Sequence, residues 1–118
     1  MKVLVAEDDG YTREGLLSIL ESEGYEAIPA VDGEEALRIF NEQAPDIVCL
    51  DIMMPGMNGY DVCRLIKSQD GSQNAEILAM TAYPAEEDVE RVLRMGARVC
   101  LNKPLDMEQL LKEVDASL

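Results

Sequence analysis

Apolar residues fall along this chain in two alternating periods: short continuous runs, then longer segments in which they recur every three or four positions. The runs at 3–6, 27–31, 47–50, 77–80 and 99–101 predict five strands, four of them apolar enough to be buried on both faces. Leu16, Ile19 and Leu20 then mark one helix, Ala36, Leu37 and Phe40 a second, and Val62, Cys63 and Ile66 a third. Val89, Val92 and Leu93, followed by Met107, Leu110, Leu111 and Val114, mark two more. Asp32 with Glu35 and Asp106 with Gln109 have the spacing of capping boxes, while Pro84 suits a first helical turn and Gly96 a helix C-terminus. Five strand–helix units joined by right-handed crossovers make an α/β fold, a doubly wound parallel sheet covered by helices on both faces. Pro29 has no N–H to give a ladder, which sends the second strand to an edge; the order 2-1-3-4-5 satisfies this. With 118 residues there is enough chain for one core, and residues 1–118 are read as a single domain.

In open sheets of this kind ligands bind beyond the carboxyl ends of the strands, near the point where strand order reverses. The residues that follow the strands there are Glu7-Asp8-Asp9 after the first, Asp51 after the third, Thr81 after the fourth and Lys103-Pro104 after the fifth. Carboxylates crowded together repel, so the crevice calls for a cation. Oxygen donors on an open surface suit Mg²⁺, which keeps several waters and shares phosphate oxygens. Asp51 is then a nucleophile beside a Lewis acid, with Lys103 and Thr81 placed to meet the oxygens of a transferred phosphoryl group. Singly, an acidic loop, a cap-like aspartate, a Lys-Pro turn and a strand threonine are commonplace. Their convergence at one edge of the sheet gives them meaning.

Composition narrows the partners. Ten Lys and Arg against 24 Asp and Glu leave a net charge of −14, which opposes direct binding of nucleic acid or of an anionic membrane. No apolar run approaches the roughly 20 residues of a membrane span, and acidic residues follow the first run too closely for a secretion signal. A cytoplasmic location is therefore expected. The chain has no His, so any phosphohistidine must belong to a partner. Cys49, Cys63 and Cys100 show no metal-binding spacing and read as buried, reduced thiols.

The segments 3–9, 51–59, 80–82 and 103–104, reading VLVAEDD, DIMMPGMNG, MTA and KP, resemble in order and spacing the receiver domain of bacterial two-component response regulators, the family of the chemotaxis receiver. The resemblance covers the whole chain and implies the flavodoxin-like arrangement of that family. It further implies that Asp51 takes a phosphoryl group from a phosphohistidine on a sensor histidine kinase or histidine phosphotransfer protein. Asp8, Asp51 and the backbone carbonyl of Met53 would ligate Mg²⁺, Glu7 would act through a metal-bound water, and Thr81 and Lys103 would contact the phosphoryl oxygens. A cis Lys103-Pro104 bond, a switching surface on the fourth helix, fifth strand and fifth helix, and a downstream effector domain or protein belong to the same picture. One position departs from the family: Cys100 stands where a switching Tyr or Phe is usual, three residues before the Lys. Output is then expected to rest on Thr81, the following loop and the helix of Val89, with Tyr83 the nearest aromatic to take over. Two competing readings are a phosphohydrolase of the haloacid dehalogenase type, which wants a second Asp where Met53 stands, and a receiver-like module that only binds partners. A flavin carrier is a third, opposed by the acidic crevice.

Overall fold

The computed structural model of the chain describes residues 1–69, 75–82 and 85–117. Strands β1 (Lys2–Ala6), β2 (Glu26–Ala30), β3 (Ile47–Asp51), β4 (Glu76–Thr81) and β5 (Val99–Asn102) form one sheet in the order β2-β1-β3-β4-β5, every pair parallel. This is the predicted topology. The three central strands are buried on both faces, as their continuous apolar runs at 3–6, 47–50 and 77–80 require. Four such strands were expected; β5 is instead the second edge, and its Val99 and Cys100 are only half-buried. Val31 lies past the end of β2 and is exposed.

Side chains alternate across the sheet, and the helices divide accordingly. Val3, Val5, Ile47, Cys49, Leu78 and Met80 pack on Leu16 and Leu20 of α1 (Gly10–Ser22) and on Leu110 and Val114 of α5 (Met107–Ala116). Leu4, Ala6, Val48, Leu50, Ile77 and Ala79 face the other way, toward α2 (Gly33–Gln43), α3 (Gly59–Lys67) and α4 (Glu86–Arg94). Helices of 9 to 13 residues are marginal alone, so burial of one face holds them. Each fully buried Leu contributes about 1.5–3 kcal/mol to that. In α4 only Val92 of the three predicted apolar residues is fully buried, and Leu93 is exposed. Tyr83 and Pro84 lie outside the described residues. Gly96 follows α4 with φ of 116°, which only Gly adopts freely.

Pro29 sits at the outer edge for a visible reason. The carbonyl of Ala30 accepts from Glu7 N at 3.1 Å, so Ala30 points its polar groups inward and Pro29, one residue earlier, points outward. Among the described residues no helix is long and apolar enough to cross a membrane.

Candidate functional site

β1 and β3, neighbours at the centre of the sheet, end side by side, with Ala6 paired to Leu50. One residue further on, Glu7 just past β1 and Asp51 at the end of β3 therefore enter the same crevice. Both are buried, at 0% and 3% exposure, and Asp8 beside them is exposed. Carboxylate oxygens of Glu7, Asp8 and Asp51 all lie within 4.8 Å of one another. Thr81, at the end of β4, is buried, and its carbonyl accepts from Lys103 N at 2.8 Å, which carries the fifth-strand loop back over the site. The Lys103-Pro104 bond is cis. Lys103 Nζ lies between two carboxylates, bonded to Glu7 Oε1 and 3.2 Å from Asp51 Oδ2. Met53, whose thioether is exposed, donates its backbone N–H to Asp51 Oδ1 at 3.1 Å.

The electrostatics follow from this crowding. Burial, then the hydrogen bond and charge of Glu7, push the Asp51 carboxyl up to about 7, against the opposing pull of Lys103 and the Met53 N–H. Burial works to lower the Lys103 ammonium, yet Glu7 and Asp51 outweigh it and hold the group above its usual value. Three carboxylates against one ammonium leave two negative charges in excess, which a proton on Asp51 halves and a divalent cation cancels. The donors are hard oxygens converging from an open rim, a set that fits Mg²⁺.

Asp9, the third acid of the Glu7-Asp8-Asp9 run, stands outside the cluster. Its carboxylate caps α1, accepting from Thr12 N at 3.0 Å and Thr12 Oγ1 at 2.6 Å, and these bonds hold its pKa below the ordinary range. Beside Lys103 opens a pocket of about 470 Å³ lined by Tyr11, Thr12, Pro104, Leu105 and Met107, with Tyr11 92% exposed at its rim.

Two residues with a part in the site went unassigned in the sequence. Gly59 opens α3 against the chain that carries Asp51: a Cβ there would meet Ile52 Cα at 2.5 Å and the Asp51 carbonyl oxygen at 2.7 Å. The Asn58-Gly59 pair was the available signal, a turn dipeptide next to a strand end. Arg13, on the first turn of α1, reaches back to the main chain of Glu7 and Asp8, and nothing in the local pattern announces it.

A parallel five-stranded sheet in this order, with acids, a threonine and a lysine gathered at its carboxyl edge, has the flavodoxin-like fold of receiver domains. The family model for the response regulator receiver domain matches residues 3–115, and the chain belongs to that family. PilH of Pseudomonas aeruginosa is 31% identical over 117 residues, covering 99% of this chain and 97% of that protein. The DNA-binding response regulator MtrA of Mycobacterium tuberculosis is 38% identical over 99% of this chain but only 50% of its own length, so the chain spans about half of such relatives. The solved chemotaxis response regulator CheY4 of Vibrio cholerae superposes with a TM-score of 0.92 at 31% identity, covering 99% of this chain and 98% of that one. The chain is thus a receiver domain of the two-component type, a signalling domain in fold.

Proposed function

We propose that residues 1–118 form one receiver whose Asp51 accepts a phosphoryl group from a phosphohistidine on a sensor histidine kinase or phosphotransfer protein, with Mg²⁺ as cofactor. The observation that carries this is the buried carboxylate of Asp51 at the end of β3, sharing its crevice with Glu7, Asp8 and one lysine. Asp8, Asp51 and the carbonyl of Met53 would hold the cation, with Glu7 acting through a water, and the bound ion would supply Lewis-acid neutralisation of phosphate charge. An oxygen of Asp51 forms the new bond to phosphorus as the phosphorus–nitrogen bond of the donor breaks, and the departing imidazole keeps the electron pair and takes a proton from solvent. Lys103, tethered between Glu7 and Asp51, follows the developing negative charge onto the phosphoryl oxygens. The Thr81 hydroxyl meets another of these oxygens.

A donor protein reaches Asp51 over the rim, and the apolar pocket beside Lys103 gives it a place to rest. Phosphorylation adds about −1.5 to −2 charge and reshapes the face formed by α4, β5 and α5, which a downstream effector domain or protein reads. The net charge of −14 keeps the domain itself away from nucleic acid and anionic membranes, and a cytoplasmic setting follows from its partners. The hydrolase reading loses its second acid: the residue two past Asp51 is Met53, which presents only a backbone N–H to it.

Incubation with a small phosphodonor and Mg²⁺ should add one hydroxylamine-labile phosphoryl group, read by intact mass and peptide mapping. Asp51→Asn should abolish it. Labelling of that variant at the wild-type rate would sink the assignment.

A further inference from the structure

We infer that Arg13 is a positioning residue for the divalent-cation site, acting through the main chain of Glu7 and Asp8. The inference rests on the receiver reading above. β1 ends at Ala6, so the carbonyls of Glu7 and Asp8 lie beyond the strand that carries them. Nη1 of Arg13 donates to Glu7 O at 2.7 Å and to Asp8 O at 3.3 Å. These two carbonyls belong to the peptide planes on either side of the Asp8 Cα, so anchoring both restricts both backbone dihedrals of Asp8. The direction of its Cα–Cβ bond, and with it the approach of its carboxylate to Glu7 and Asp51, is set by α1.

Other contacts complete the hold. The Glu7 N–H donates to Ala30 O at 3.1 Å, and Asp9 N donates to Glu7 Oε2 at 3.2 Å. Glu7 is therefore fixed at its N–H, its carbonyl and its side chain; the peptide plane after the exposed Asp8 is held by Arg13 together with the Asp9 N–H, and the Arg13 bond to Glu7 O fixes the plane before it. The guanidinium meets carbonyls and not the carboxylates, so it orders the acidic pair without occupying the oxygens a cation needs. A positive charge at that distance also offsets part of the repulsion that crowds the site. Orienting partners of this kind change metal affinity by about 10–100-fold when removed.

Arg13→Met keeps the length of the side chain and removes charge and donors; Arg13→Lys keeps charge and a donor. Calorimetric titration with Mg²⁺ should show binding to Arg13→Met weakened about tenfold, with Arg13→Lys recovering part of the loss. Labelling of Asp51 by a small phosphodonor should be slow for Arg13→Met at low Mg²⁺ and approach the wild-type rate at saturating Mg²⁺. A merely structural arginine would instead lower the melting temperature in chelator and leave the Mg²⁺ affinity of the folded protein unchanged. Wild-type Mg²⁺ affinity in folded Arg13→Met overturns the inference and leaves the receiver reading intact. Failure of the wild-type protein to bind Mg²⁺ overturns both.

Discussion

At the scale of single residues the site is governed by the proton on Asp51. An aspartate in an unfolded chain titrates near 3.9, whereas burial and Glu7 push the folded group up to about 7. The folded state therefore binds this proton more tightly than the unfolded one. Its contribution to stability is complete below about pH 4 and is lost as pH rises to about 7. In chelator, the melting temperature of the wild type should fall across that window, and Asp51→Asn should remove this part of the slope. An unchanged slope in Asp51→Asn would place the titration elsewhere among the acids. Because proton and cation compete for the same oxygens, Mg²⁺ binding should also weaken as pH falls through the same range.

The same scale shows why the site was only partly legible beforehand. Asp51, Thr81 and Lys103 each follow a predicted strand, and topology alone brings such positions together. Asp9 carries the same chemistry as Asp8 and differs only in bonding Thr12, which turns its carboxylate into a helix cap. Gly59 and Arg13 act through close approach and through backbone carbonyls, contacts that leave no period or charge pattern in a sequence.

At the scale of elements the open question is how α4 feels the site without an aromatic at position 100. Tyr60, the residue after Gly59, is buried in the first turn of α3, and the Arg91 guanidinium of α4 lies 4.0 Å from its ring centroid. Burial, then the charge and hydrogen bond of Asp88, also on α4, hold the Tyr60 hydroxyl above its usual pKa. Gly59 N donates to Ile52 O at 2.8 Å, so the chain that leaves Asp51 is tied to α3 and through Tyr60 to α4. Cys100 packs against the same cluster. Arg91→Ala should cost about 0.5–1 kcal/mol by denaturant unfolding and should shrink the spread of amide shifts into α4 on phosphorylation. Cys100→Ala should leave the labelling of Asp51 unchanged. An α4 response that survives Arg91→Ala intact but disappears in Cys100→Ala would give the coupling to β5.

Element boundaries were legible where local chemistry fixes them. Asp32 accepts from Glu35 N at 2.8 Å, and Asp106 accepts from Gln109 N at 3.3 Å, as the capping spacings predict. The helix at Val89 and Leu93 has apolar spacing yet leaves Leu93 exposed, because α4 covers an edge of the sheet and not its middle. Likewise Val99 and Cys100 read as interior residues and turn out half-buried, since sheet position, which decides burial, is a property of the whole order of strands.

At the scale of the whole molecule, an open sheet has two free margins, and a free margin is a template on which another chain can pair. On the β2 side the outward-facing positions are Ala27 and Pro29, and the proline presents no donor there. The net charge of −14 keeps copies apart at low ionic strength, but salt screens that repulsion within about 10 Å at 0.1 M. Under those conditions the missing N–H is a protection that ions cannot remove. Pro29→Val should fold normally, since the position bonds no neighbour in the sheet, and should label at Asp51 like the wild type. It should differ in the test tube: light scattering at high protein concentration and raised salt should grow with time for Pro29→Val and stay flat for the wild type. Equal scattering would mean that charge alone guards the margin. If the variant does associate, one imino acid at the outer margin of the sheet sets how concentrated this protein can become before its copies begin to join edge to edge.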